Sequence, residues 1–258
     1  MIARADDDRK TLREGGRKLG EILAQVAAAV APGVTIHELD HLAERLIVES
    51  GGRPAFKGYH PRHATQPYPG TLCTSVNAEV VHGIPTRAMA LRKGDIIGLD
   101  IGMRWPSEDG LYTDTAVTVG VGKVAKEARR LMDVTQRALE AGIAAATVGN
   151  RVSDIARAVQ TVVEGAKFSV VRDLVGHGVG RAIHEEPQVP NFWDARQLDV
   201  ELLDGMVIAI EPMVAAGSWR VRVLPDGWTI VTADGSLAAH FEHTILITKE
   251  GTEVITQA

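Results

Sequence analysis

The segment APGVTIHELDHLAERLIVESGG at residues 31–52 is echoed by TVGNRVSDIARAVQTVVEGAKF at residues 147–168, an offset of 116. In the first copy Pro32-Gly33 halts a preceding helix, and Thr35 with Glu38 three residues later forms a capping box. Leu39, Leu42 and Leu46 then share one helical face, which ends at Gly51-Gly52. Upstream lies a longer helix at about 9–30, where Leu12, Leu19, Ile22, Leu23 and Val26 recur at helical spacing. The second copy is likewise framed by predicted helices at about 124–146 and 153–167. Short β-rich runs follow each helical pair: 95–103 and 112–120, then 207–214, 228–232 and 241–248. Helices then strands, twice, predict an α/β (α+β) chain. The expectation is one domain, 1–258, of two related halves, about 1–122 and 123–258, with a site between them.

Composition narrows the function. The 258 residues are 45% apolar and 24% charged, with a formal net charge of −5. That balance gives no strong positive field to collect phosphate, so a specific nucleic-acid partner is not expected. Cys73 is the one cysteine, which rules out an internal disulfide and gives no sign of an oxidising compartment. The opening MIARADDDRK lacks the apolar core of a secretory signal. The longest apolar stretch, about 24–34, is too short to span a bilayer. A cytoplasmic, membrane-free protein is the expectation.

Four acids interrupt strands that otherwise read as buried. Asp100 sits in DIIGLDIGM, on the face opposite Ile97, Leu99, Ile101 and Met103. Asp114 lies in LYTDTAVTVGV, Glu211 ends GMVIAI, and Glu242 opens FEHTILIT. A carboxylate in such a run is costly unless paired. Two of the four fall in each half. If the halves face each other the acids converge, and two divalent ions would neutralise them and lower the pKa of water held there. Three histidines join this pattern: His177 and His184 in GHGVGRAIHEEP, and His82 in VVHGIP. His177 reads as part of a glycine-rich turn, and Glu185 and Glu186 as first-turn helix charges. Oxygen donors with one imidazole suit Mn, Fe or Co. His37, His41 and His63 read as surface residues and His243 as structural. GHGVG lacks the spacing of a phosphate loop and has no Walker lysine.

The segments SVNAEVVHGIP (75–85), GDIIGLDIG (94–102), TDTAVTVG (113–120), GHGVGRAIHEEPQVPNF (176–192), GMVIAIEPMV (205–214) and FEHTILIT (241–248) together resemble the type I methionine aminopeptidases, over about residues 9–255. The resemblance implies the pita-bread fold: an antiparallel sheet flanked by helices, with internal pseudo-twofold symmetry. It implies removal of the N-terminal methionine from nascent chains whose second residue is small, by a monomer, with the ribosome as a possible partner. It implies two divalent ions drawn from Co, Mn, Fe or Zn. Asp100 would hold one ion, Asp114 and Glu242 would bridge, and His177 and Glu211 would hold the other. Glu211 would also carry the proton, and His82 and His184 would contact the peptide. Tyr59, Tyr68, Cys73 and Trp228 would line the methionine pocket.

Three features depart from the pattern. HPRHATQP (60–67) lengthens the segment between Tyr59 and Tyr68, RWPSEDG (104–110) lengthens a hairpin, and Ile183 stands before His184 where an aromatic is common. A proline-specific peptidase on the same fold is a rival reading. Such relatives carry an added N-terminal domain, whereas the pattern here starts near residue 9.

Overall fold

The computed structural model describes residues 1–61 and 64–258. Among the described residues, four helices pack against curled antiparallel sheet. Helix α1 (Asp6–Ala28) opens on three aspartates, which complement the positive end of its dipole. It buries Leu12, Leu19, Ile22, Leu23 and Val26, the face read from the spacing. Helix α2 (Ile36–Glu49) carries the expected capping box: Glu38 N donates to Thr35 Oγ1 at 3.2 Å, and Thr35 N donates to Glu38 Oε2 at 2.7 Å. Its end is a Schellman turn. Gly51 N donates to Val48 O and Gly52 N to Ile47 O, and Gly51 takes a φ of 83° that favours glycine.

Helices α3 (Lys126–Ala145) and α4 (Val152–Gly165) follow. The bounds of α4 are those of α2 displaced by 116, the offset of the sequence repeat. At the head of α4, Arg151 N donates to Asp154 Oδ2, as Thr35 N does to Glu38.

Nine strands form the main sheet, all neighbours antiparallel. Its spine runs Arg53–Pro54, Ile96–Trp105, Leu111–Gly120, Glu242–Thr248, Val207–Ile210, Gly176–Gly178, Glu185–Val189. Leu72–Val76 also pairs with Ile96–Trp105, and Gly251–Val254 with Glu242–Thr248. Within the main sheet the halves meet at one seam, where Glu242 faces Ala116 and His243 faces Thr115. Helices α1 and α2 cover one side of it, where Ile97, Leu99, Ile101 and Met103 join Leu19, Leu39 and Ile47 in a dry core. Helices α3 and α4 cover Ile208, Ile210, Ile245 and Ile247 on the other.

Several local expectations are corrected. The run 207–214 is two strands, Val207–Ile210 and Met213–Ala215, in different sheets. Pro212 has no N–H to continue the ladder, so the chain leaves the main sheet there. His177 sits in a strand rather than a turn. Its flanking glycines are required by close approach: a Cβ at Gly176 would lie 2.4 Å from Ala209 O, and one at Gly178 would lie 2.2 Å from Glu186 O. Glu185 and Glu186 start a strand, not a helix. The hairpin of 104–110 is tighter than read, because Ile96–Trp105 extends to Trp105 and Leu111–Gly120 resumes at 111.

Candidate metal centre and substrate cleft

Strand register brings the acids together. Asp100 stands opposite Ala116, which stands opposite Glu242, so two carboxylates flank one small residue in a row across three strands. Cys73 continues that row beyond Asp100. Glu211 falls one step past the last pair of its ladder with Glu242–Thr248, level with Glu242. Two residues along the sheet a second row begins, with Gly102 opposite Asp114. There the seam is bridged by a side chain: Asp114 N donates to Thr244 Oγ1 at 2.9 Å, and that hydroxyl donates to Asp114 O at 2.7 Å. Thr244 and His177 both face Ala209, so His177 closes the second row.

The ligand atoms of three residue groups each converge within 4.8 Å: Asp100, Asp114 and Glu242; His177, Glu211 and Glu242; Asp114, His177 and His184. Asp100, Asp114 and Glu242 are 9%, 3% and 2% exposed, and each keeps one buried carboxylate oxygen with no hydrogen-bond partner. Native interiors seldom leave such atoms unsatisfied, so these three oxygens mark where a cation belongs. Burial pushes the Asp100 carboxyl up to about 7, with Glu211 adding to the rise and His240 opposing it. Burial also pushes Asp114 and Glu242 well above the usual range, reinforced by the neighbouring carboxylates. Burial would raise Glu211 too, but His240, His177 and His184 outweigh it and hold the group below its usual value. His177 Nε2 lies 3.6 Å from Glu211 Oε1 and 3.8 Å from Asp114 Oδ2.

All eleven residues singled out in the sequence line one cleft of about 540 Å³: Tyr59, Tyr68, Cys73, His82, Asp100, Asp114, His177, His184, Glu211, Trp228 and Glu242. Its apolar wall packs Phe56, Tyr68, Cys73 and Ile183 together, with Tyr59 and Trp228 against them. Gly102 is needed here, since a Cβ would lie 2.8 Å from the Phe56 ring. Burial, then the charge of Asp100, raises the Cys73 thiol well above its usual range, which makes it packing rather than a nucleophile. Of the lengthened segment 60–67, Pro61 lines the cleft and Gln66 O accepts from Trp228 Nε1 at 3.1 Å. Arg62 and His63 lie outside the described residues.

The histidines are held differently. His184 Nδ1 contacts the Tyr59 hydroxyl at 2.9 Å, and its ring meets that of His177 edge-on at 4.5 Å. Although one edge stays open, burial holds the imidazole down at about 4, helped by the charge of His177. His82 has a φ of 58°, a strained value for a residue with a Cβ. The next residue secures it. Gly83 O accepts from Thr74 N at 2.8 Å and from the Tyr68 hydroxyl at 2.8 Å, and Gly83 N donates to Ser75 Oγ.

Sequence reasoning passed over His240. It is 3% exposed, and its Nε2 lies 3.5 Å from Glu211 Oε2, beyond hydrogen-bond length but close enough to support the carboxylate. The signal was available: in AAHFEHT, His240 stands two residues before Glu242, on the same side of an extended chain.

This arrangement matches known proteins. Residues 10–249 fit the model of metallopeptidase family M24. The chain is 44% identical to a methionine aminopeptidase of Clostridium perfringens, over 99% of this chain and 98% of that one. The chain belongs to family M24. It is 42% identical to methionine aminopeptidase 1 of Bacillus subtilis, over 100% and 99% of the two chains. The crystal structure of a Thermotoga maritima methionine aminopeptidase superposes with a TM-score of 0.92 at 41% identity, over the whole of both chains. A Pyrococcus furiosus prolidase shares the fold, with a TM-score of 0.71 at 18% identity over 66% of its own length. The fold is therefore the pita-bread fold, and membership of M24 makes this a metal-dependent peptide hydrolase of the methionine aminopeptidase type. No helix among the described residues is long and apolar enough to cross a membrane.

Proposed function

We propose that this M24 peptidase removes the N-terminal methionine from nascent polypeptides whose second residue is small, using two divalent ions of the Mn, Fe, Co or Zn class. The observation that carries this reading is the set of orphaned carboxylate oxygens in a cleft that also presents an apolar wall of Phe56, Tyr68, Cys73 and Ile183. Asp114 and Glu242 belong both to the group containing Asp100 and to groups containing His177, as residues shared between two ions would. Asp100 would serve one ion, and His177 with Glu211 the other. Bound ions would supply Lewis acidity, lowering the pKa of water and polarising the peptide carbonyl.

The remaining work belongs to side chains. Glu211 accepts the proton from the attacking water and delivers it to the leaving amine, a role worth about 10²–10⁴-fold in rate. When the Tyr59 hydroxyl donates to Nδ1 of His184, Nε2 carries the proton and serves as a donor to the developing oxyanion. His82, at the cleft wall beside Trp228, contacts the substrate backbone. The wall of Tyr59, Tyr68, Cys73, Trp228 and Ile183 accepts an unbranched thioether. We assign the reaction to a cytoplasmic monomer acting on chains as they emerge from the ribosome.

A peptide panel tests the substrate. Met-Ala-Ser is expected to lose its first residue in a metal-dependent way, whereas Leu-Ala-Ser and Met-Leu-Ser are expected to survive. Cleavage of X-Pro peptides with Met-Ala-Ser left intact would overturn the reading. Tyr68→Phe tests the support of His82. The loss of one buried hydrogen bond is expected to cost about 1 kcal/mol of stability and to lower kcat several-fold with KM nearly unchanged. A pure rise in KM would show instead that Tyr68 only lines the pocket.

A further inference from the structure

Outside the cleft, the segment His37-Glu38-Leu39-Asp40-His41 has the His-Glu-x-x-His form that places two imidazoles one helical turn apart. It lies in the first turns of α2. The acids between the histidines are already engaged. Glu38 Oε2 accepts from Thr35 N and Thr35 Oγ1, closing the helix cap. Asp40 is buried and accepts from Thr71 N and Leu72 N at 2.8 and 2.9 Å. Leu39 is in the core. The motif therefore offers no free general base and is no second peptidase centre.

The two histidines are exposed on the same face, one helical turn apart, and a hydrogen bond joins their Nε2 atoms at 2.9 Å. Their ring centroids are 4.2 Å apart, too close for two rings set end to end across that contact. The contact is a hydrogen bond between edge-on rings, and an ion that displaces the shared proton would meet both nitrogens after a small rotation of one ring. Imidazole nitrogens bind a first-row metal at about 2.0–2.1 Å, so two of them at right angles about one ion stand about 2.9 Å apart. Right-angled nitrogen ligands are those of tetragonal or octahedral nickel and copper sites. Among the described residues no third histidine, cysteine or acid joins the pair, which leaves the other positions to water.

We propose that His37 and His41 form a separate surface chelate for an imidazole-seeking divalent ion of the nickel or copper type. Neither residue lines the cleft, so the site stands or falls independently of the reaction assigned above. Tethering gives the second imidazole its affinity, an intramolecular gain of about 10²-fold or more over one imidazole alone. A practical consequence is that metal add-back to the chelated protein would count one ion beyond those of the carboxylate cluster.

The test is calorimetric titration of the full chain with Ni²⁺, beside the single variants His37→Ala and His41→Ala. Both positions are exposed and leave the cap intact, and circular dichroism confirms that α2 and the fold persist. The expected result is one fewer Ni²⁺ bound tightly in each variant, with weaker retention on an immobilised-Ni²⁺ column. Unchanged stoichiometry and retention in both variants would overturn the proposal. So would a loss confined to one of them, since a chelate needs both nitrogens. Peptidase activity with Mn²⁺ is expected to be the same in all three proteins.

Discussion

Replacing Glu211 with glutamine is expected to lower kcat on Met-Ala-Ser about 10³-fold, with the fold intact. The amide is nearly the same size, and the backbone there is anchored independently, because Asn191 Nδ2 donates to Glu211 O at 3.0 Å. What disappears is a carboxylate that His240, His177 and His184 keep ionised inside a buried cluster. An amide can neither accept the proton of the attacking water nor pass one to the leaving amine, and proton transfer of this kind accounts for about 10²–10⁴-fold. Loss of one ligand oxygen adds to the effect. Rates measured at saturating metal separate the two contributions. A kcat within tenfold of the parent under those conditions would remove Glu211 from proton transfer.

The metal-free protein is expected to lose stability as pH rises, the reverse of the usual acid denaturation. Asp100, Asp114 and Glu242 have folded-state pKa values above their unfolded ones, so the native chain binds their protons more tightly. Stability then falls as pH climbs from the unfolded values through the folded ones. For Asp100, moved from 3.8 to about 7, the full effect is on the order of 4 kcal/mol. His184 and His243, held at about 4, pull the other way up to their ordinary 6.5. Glu211, shifted downward, also acts only at lower pH. The clean window therefore lies between about pH 6.5 and 8.5. There Tm of the chelated protein is expected to drop by roughly 5 °C or more. Adding Mn²⁺ should recover the loss, with a larger gain at the upper end. A chelated protein whose Tm is flat or rising across that window would show that the carboxylates do not share a buried charge problem.

Features set by neighbouring residues are legible in the sequence itself. Thr35 and Glu38 announce the head of α2, and the 116-residue echo fixes α4 to the same bounds. Asp100 and Glu242 were conspicuous because a charge in an apolar strand needs a partner. Their partners are another matter, because they come from register. That Ala116 stands between Asp100 and Glu242, or that Thr244 splices Asp114 into the seam, depends on how strands slide past each other. No local spacing specifies that sliding. The same limit hid the strand around His177, whose glycines suggest a turn until the closeness of Ala209 O is seen. For His240 the nearness to Glu242 is legible in AAHFEHT, but its partner Glu211 lies in another part of the chain.

The seam between the halves also sets a schedule. The bond from Thr115 Oγ1 to Glu242 O spans 127 residues, and every proposed ion ligand on the far side lies beyond α4. During synthesis, therefore, the first helical pair and its hairpin can collapse with Asp100 and Asp114 already brought side by side and nothing to balance them. Only when the closing strand leaves the translation machinery can the carboxylates be completed and neutralised together. Such non-local pairing makes for slow folding. It also ties the assembly of the cluster to completion of the polypeptide, so a chain truncated before Glu242 is expected to be inactive as well as unstable.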